Sequence, residues 1–294
     1  MTAPAQQMPA PRPLVYAGAE DRYFDYCLQP YDPLRDPRGK LRSESLLWNS
    51  LDVARAAPSL DAALGAVQRT AGRDMTVVGV KHQGGRIWWE LYFYDRLKED
   101  PAVRAASIID AVAPWFHVVP RPRETVPYFM FSFDVHPDTA DGGRVDVVNL
   151  YLPYYEVQGG RSYKLSADRL EMDNVYRFLH PKTEIREIVH DVRQSVFVDF
   201  TRVPLSRILL PELIDCNRIC VAKKRFADAV YYSGIDVGQL LFFLRTLCYP
   251  EPIVAFVEAQ RAALDHLRFD VGIDYVMLPD GSLSTTKSSY YCTL

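Results

Sequence analysis

Glu90 lies in the middle of an aromatic run, Arg86-Ile-Trp-Trp-Glu-Leu-Tyr-Phe-Tyr-Asp95, with Trp88 and Tyr92 two residues to either side. Side chains alternate across an extended strand, so these three share one face. Aromatic walls penalise a carboxylate's charged form and raise its pKa toward that of a working proton acceptor. The alternative is a glutamate paired with a cation from a neighbouring strand. Such cations are present. Lys81 closes the preceding strand, Lys223, Lys224 and Arg225 run together in Cys220-Val-Ala-Lys-Lys-Arg-Phe226, and Lys287 sits inside Thr285-Thr-Lys-Ser-Ser-Tyr-Tyr291. The face-mates of Lys287, namely Ser289, Tyr291 and Thr293, are also polar. A charge inside a strand is costly unless it reaches water, a counter-ion or a ligand. These cations therefore either end in solvent or gather round an anion.

Other chemistries lack their motifs. There is no phosphate loop followed by Lys-Ser/Thr, no GxGxxG, no HExxH, no GxSxG, and no DDxxD run of the kind that grips diphosphate through magnesium. Six histidines (His82, His117, His136, His180, His190, His266) show no ligand spacing, and five cysteines with no CxxC read as ordinary thiols. Across 294 residues the chain is 48% hydrophobic and 24% charged, with a net charge of −3, which argues against a general nucleic-acid or anionic-membrane binder. No apolar run approaches the roughly 18 residues of a membrane span. The Pro-rich residues 1–14 have no apolar signal region and read as a disordered leader, so a cytoplasmic location is expected.

The elements that must carry these residues follow from periodicity and turn signals. Residues 43–56 and 59–71 read as helices, followed by a hairpin over 75–82 and 86–95 joined through Gln83-Gly84-Gly85. A helix is expected over 101–116. The second hairpin spans 128–135 and 144–153, with Phe129, Phe131 and Phe133 on one face. Residues 161–167 read as a short strand, 172–179 and 182–194 as helices, 196–202 as a strand and 204–215 as a short helix. A third hairpin covers 218–225 and 230–236. Apolar helices over 237–247 and 251–267 precede a fourth hairpin, 270–277 and 284–293, turning at Pro279-Asp280-Gly281. Four clear hairpins separated by helices, with a weaker fifth pair around 161–203, form an internal repeat. Antiparallel hairpins need no parallel crossover, so the economical fold is α+β. One antiparallel sheet closes into a barrel with helices packed outside and a polar, aromatic lumen, and residues 15–294 form a single barrel domain.

In this arrangement the chain resembles the ABBA-type aromatic prenyltransferases, antiparallel barrels built of helix–helix–strand–strand repeats. Trp89-Glu90-Leu91-Tyr92-Phe93 resembles their first-repeat strand around Glu-Leu-x-Phe. Val148-Asn149-Leu150-Tyr151-Leu152 is similar to their Asn-Leu-Tyr strand, and Lys287 to Tyr291 to a closing strand where lysine precedes paired tyrosines. Residues 220–225 are similar to a family strand with cations just before aromatics. Tyr92 stands where some members carry an acid. The likeness runs loosely over residues 59–294 and implies an enzyme that moves a dimethylallyl or geranyl group from its diphosphate to an aromatic acceptor. That acceptor is a small molecule or a peptide side chain, and neither nucleic acid nor membrane is a partner. It further implies diphosphate binding by Lys81, Lys223, Arg225 and Lys287, with Glu90 as the base. Trp88, Tyr92, Tyr151, Tyr232 and Tyr291 would shield the allyl cation and bind substrate. No cofactor is required on this reading, and Mg²⁺ is allowed for although DDxxD is absent. Two competing expectations are a non-catalytic barrel that binds a hydrophobic ligand or partner peptide, and an unrelated α+β reductase.

Overall fold

The computed structural model describes residues 11–96, 100–154 and 158–294. Two helices come first, α1 (Glu44–Val53) and α2 (Pro58–Ala71). In α2 the buried residues Leu60, Ala63, Leu64, Val67 and Ala71 fall at helical spacing and form one apolar stripe. The hairpin β1 (Thr76–Gln83) and β2 (Arg86–Tyr94) turns at Gly84 and Gly85, whose φ angles of 55° and 81° suit a tight turn with both central residues left-handed. Then come α3 (Ala105–Val112), β3 (His117–Val118), β4 (Met130–Val135), β5 (Arg144–Val145) and β6 (Val148–Tyr154). Next are β7 (Gly159–Leu165), β8 (Leu170–Leu179), α4 (Ile185–Arg193), β9 (Arg218–Lys224) and β10 (Asp228–Ile235). The chain ends with α5 (Val237–Thr246), α6 (Glu251–Ala259), α7 (Arg261–Leu264) and the hairpin β11 (Phe269–Met277) and β12 (Leu283–Thr293).

Ten of these strands close into one antiparallel barrel in the order β1, β12, β11, β10, β9, β8, β7, β6, β4, β2. The seam is the pairing of β1 with β12, from Val77 opposite Thr293 to His82 opposite Ser288, so no edge is left unpaired. The short strands β3 and β5 pair in parallel outside it. Alternation sets the two faces of the wall. Ile87, Trp89, Leu91 and Phe93 of β2 point outward into the main apolar core, beneath α1, α2 and α3. Trp89 is 1% exposed, and its indole N–H donates to Oγ of Ser50 on α1 at 2.8 Å. The rings of Phe93 and Phe131 stack at 4.9 Å on the same outer face.

Several expected boundaries shift. Residues 172–179 are strand rather than helix: β8 pairs with β7 and β9 on both sides, and this sheet pairing overrides the helix formers Leu170, Glu171 and Met172. With it the weak fifth hairpin becomes β7–β8. Residues 196–202 form no strand, and Phe197 contributes one backbone acceptor to Met277. The expected helix over 101–116 is shorter, a single turn at Pro101–Val103 followed by α3. Residues 204–215 make two short turns of 3₁₀ helix rather than an α-helix. The helix expected over 251–267 divides into α6 and α7. Of the expected leader, residues 1–10 lie outside the described residues. Arg12 is held by Asp52 at 2.7 Å and Asp61 at 2.7 Å, so residues at its end belong to the fold.

Before α1 the chain crosses the end of the barrel where β1 begins and β2 ends. Residues 24–30 form a tight loop there, bridged by Phe24 and Pro30. Among the described residues no helix is long and apolar enough to cross a membrane.

Candidate functional site in the barrel lumen

The inward faces of the strands enclose a cavity of about 720 Å³, within the range of small-molecule sites. Its two ends differ in chemistry. Toward the loop-covered end the lining is aromatic: Tyr92 and Tyr94 from β2, Tyr151 from β6, Tyr176 and Phe178 from β8, Tyr231 from β10 and Tyr291 from β12. Glycines make room for these rings, among them Gly160 beside Tyr176. A Cβ on Gly272 would run into the Tyr231 ring, and one on Gly79 would stand 3.0 Å from Tyr291 and 3.3 Å from Tyr92.

Toward the end carrying the Gly84–Gly85 turn the lining is charged, in two groups of opposite excess. In the first, Lys81 lies between two carboxylates, 2.5 Å from Glu90 and 2.6 Å from Asp134. In the second, Asp274 lies between two ammonium groups, 2.7 Å from Lys224 and 3.2 Å from Lys287. One lysine against two acids leaves a negative excess; two lysines against one acid leave a positive excess. A further pair, Lys164 with Asp173 at 2.8 Å, is balanced.

Glu90 is 3% exposed and bound on both oxygens. Tyr92 donates to Oε2 at 2.5 Å, Asn149 donates to Oε1 at 2.9 Å, and the Ser132 hydroxyl donates to Oε1. Burial works to raise its pKa, but the charges of Lys81 and Lys287 and the bonds from Lys81 and Ser132 outweigh it. The carboxyl is held at about 2. This departs from the expectation of a raised pKa, because the aromatic neighbours come with donors and cations. Asp274 likewise sits at about 2: burial raises it, and Lys224 and Lys287 lower it further. Lys81 is pushed up, since its two acids more than offset burial. Lys287 moves the other way, to about 8, because burial together with Lys224 and Lys81 outweighs the help of Asp274.

Of the residues singled out in the sequence, Glu90, Lys81, Lys287, Tyr92, Tyr151 and Tyr291 all line this cavity. Four others lie elsewhere. Lys223 points to the outer face and pairs with Asp228 at 2.8 Å. Arg225 lies past the end of β9, paired with Glu171 at 3.1 Å and lying over the Phe226 ring. Tyr232 is buried in the outer wall, where its hydroxyl donates to the Ile208 carbonyl and accepts from the Leu210 amide, both at 2.9 Å. Trp88 is half-buried and stacks on His136 at 6.0 Å, outside the cavity lining. For Lys223 and Tyr232 the difference is one residue of parity: their neighbours Lys224 and Tyr231 hold the inward positions, joined by a hydrogen bond of 2.9 Å. Trp88 shares the face of Glu90 but sits near the Arg86 end of β2, and Arg225 lies beyond its strand. The signal for the correct parity is side-chain size: Cys220, Ala222 and Ala229 face the lumen, while Ile219, Val221 and Val230 face the helices.

The sequence places Asn149 in an Asn-Leu-Tyr strand without its role of bracing Glu90, and it gives no signal for Asn174, which lines the cavity with its Oδ1 unpartnered among the described residues. Such an oxygen can accept from a ligand. Among the described residues no three His, Cys, Asp or Glu side chains converge on one point. The lumen thus places a lysine-rich corner at Lys224 and Lys287, a tyrosine-lined end, and an ionised Glu90 in one cavity. No family model matches the chain, and no curated protein matches it.

Proposed function

We propose that this barrel is a prenyltransferase, moving an allylic group from its diphosphate to an aromatic acceptor held in the lumen. The observation that carries the reading is the partition of one cavity into a cationic corner, an acidic corner and a tyrosine-lined end. Lys224 and Lys287 receive the diphosphate, with Lys81 nearby. Ionisation breaks the bond between C1 of the prenyl chain and the diphosphate oxygen, and the electron pair leaves with the diphosphate, where lysine charge stabilises it. The allyl cation lies against the rings of Tyr92, Tyr151, Tyr231 and Tyr291, which favour a cation and exclude water. A ring atom of the acceptor forms the new bond to C1, and the resulting cation gives its proton to Glu90. A carboxylate at about pKa 2 is fully ionised at neutral pH. It suffices here because the proton comes from a strongly acidic cationic ring.

A second reading has its own support: Lys81, Lys224 and Lys287 each already have a carboxylate partner. On that reading the barrel binds a neutral apolar ligand without catalysis. Calorimetric titration with dimethylallyl and geranyl diphosphates, with and without Mg²⁺, together with assays on phenolic and indolic acceptors, separates the two. Transfer requires diphosphate-dependent binding weakened in Lys224→Ala, and a prenylated product. Equal affinity for the alcohols and their diphosphates, with no product, would refute it.

A further inference from the structure

The loop over residues 24–30 is built to carry one side chain into the barrel. Asp25 Oδ1 accepts from the amides of Cys27 at 2.8 Å and Gln29 at 2.9 Å, and the Leu28 amide returns to the Asp25 carbonyl at 2.9 Å. Leu28 takes a left-handed φ of 51°, uncommon for a residue with a branched side chain, so the turn is held by its surroundings. At its tip both backbone groups of Tyr26 are gripped by the wall. Its amide donates to Asp270 of β11 at 2.8 Å, and its carbonyl accepts from the Tyr94 hydroxyl of β2 at 2.7 Å. The Tyr26 ring enters the lumen and meets Tyr291 at 5.1 Å, Tyr231 at 6.4 Å and Phe178 at 6.5 Å.

The distance from the charged corner to this ring is set by the strands. Lys287 and Tyr291 stand four residues apart on β12, which is ~13 Å along the strand and ~10 Å along the axis of a tilted barrel. The Tyr26 ring, packed on Tyr291 at 5.1 Å, therefore stands at the opposite end of the lumen from Lys224 and Lys287.

We propose that Tyr26, supplied by the loop before the barrel rather than by any strand, is the floor of the lumen and sets the length of prenyl chain the site accepts. This rests on the transferase reading for its ligand class. It commits to a specificity residue that no hairpin carries.

The test compares wild type, Tyr26→Ala, Tyr26→Leu and Tyr26→Phe with dimethylallyl and geranyl diphosphates. Turnover is measured alongside calorimetric binding of the unreactive thiolodiphosphates and thermal melting. Removing the ring should raise the geranyl-to-dimethylallyl ratio of kcat/KM by at least about tenfold in Tyr26→Ala, less in Tyr26→Leu, and leave it unchanged in Tyr26→Phe. Should Tyr26→Ala fail to fold, Tyr26→Leu decides. A ratio unmoved in folded variants overturns the proposal. If wild type transfers neither chain, the function reading fails, and the floor is then judged by binding of anilinonaphthalene sulfonate. Tighter binding in Tyr26→Ala sustains a floor at Tyr26, and equal binding removes it.

Discussion

The two faces of the barrel wall share every strand and obey different physics. On β2 the outward residues Trp89, Leu91 and Phe93 are all within 1% of full burial, packed against helices. The inward residues Glu90, Tyr92 and Tyr94 are also buried, yet they bring a charge and two hydroxyls into the interior. The outer face supplies stability through close packing. The inner face holds charges whose desolvation cost is offset by their partners across the strands. The partner counts sharpen this contrast. Glu90 can be neutralised without orphaning Lys81, which keeps Asp134. Lys287 can be removed without orphaning Asp274, which keeps Lys224.

The largest expected effect lies on the outer face. Trp89→Ala should cost ~3–5 kcal/mol in chemical denaturation, chiefly through lost packing, with the indole bond to Ser50 lost as well. A loss below about 1 kcal/mol would mean that the helix layer is not where stability resides. On the inner face, Glu90→Gln should slow transfer by about 100-fold or more. The melting temperature should fall, because a carboxylate whose pKa is depressed on folding contributes stability at neutral pH, while the folded variant should still bind dimethylallyl diphosphate. Near wild-type turnover in that variant would remove Glu90 from the chemistry. Lys224→Ala should weaken diphosphate binding about tenfold or more. The same change at Lys223, one residue along but on the other face, should leave binding unaltered. Equal effects at the two positions would erase the distinction between the faces.

The smallest effect is a pH dependence. Burial and neighbouring ammonium groups lower the Lys287 amine to about 8. Its positive charge is therefore present below that value and lost as pH rises through it, so diphosphate affinity of the free protein should fall a few-fold from pH 7 to 9. Lys287→Arg keeps its charge over this range, and its affinity profile should be flat. A wild-type profile as flat as that of Lys287→Arg would place the titration elsewhere. Stability should respond in the opposite sense: a lysine whose pKa is depressed on folding costs stability at low pH, and that cost fades as pH rises from about 8 toward the unfolded value.

Legibility of the fold and site tracked the strength of alternation. In β2 the odd residues are purely apolar and the even ones polar or aromatic, so face and register could be read directly, and Glu90, Tyr92 and Lys81 were found together. In β9 the run Ile219-Cys220-Val221-Ala222 is apolar on both faces, and polarity alone gives no parity. The sequence pattern points to Lys223 and Tyr232, whereas Lys224 and Tyr231 face the lumen. Side-chain size carries the phase, small Cys220 and Ala222 inward against Ile219 and Val221 outward, and cross-strand pairing of Tyr231 with Cys220 fixes it. Residues 172–179 carry a misleading period: Met172, Val175 and Leu179 mimic helical spacing, and tertiary pairing on both edges overrides it. The role of Tyr26 was invisible in sequence, because its position depends on Asp270 and Tyr94, far away in the chain. The charge balance of the lumen had the same origin, since every lumenal lysine meets its acid across strands.

A crystal structure with dimethylallyl thiolodiphosphate bound would test the partition of the lumen most directly. The account requires the diphosphate between Lys224 and Lys287, the prenyl chain directed toward Tyr26, and C1 on the side of Glu90. Diphosphate bound outside the barrel, or density for the chain at the charged end and the anion among the tyrosines, would contradict it.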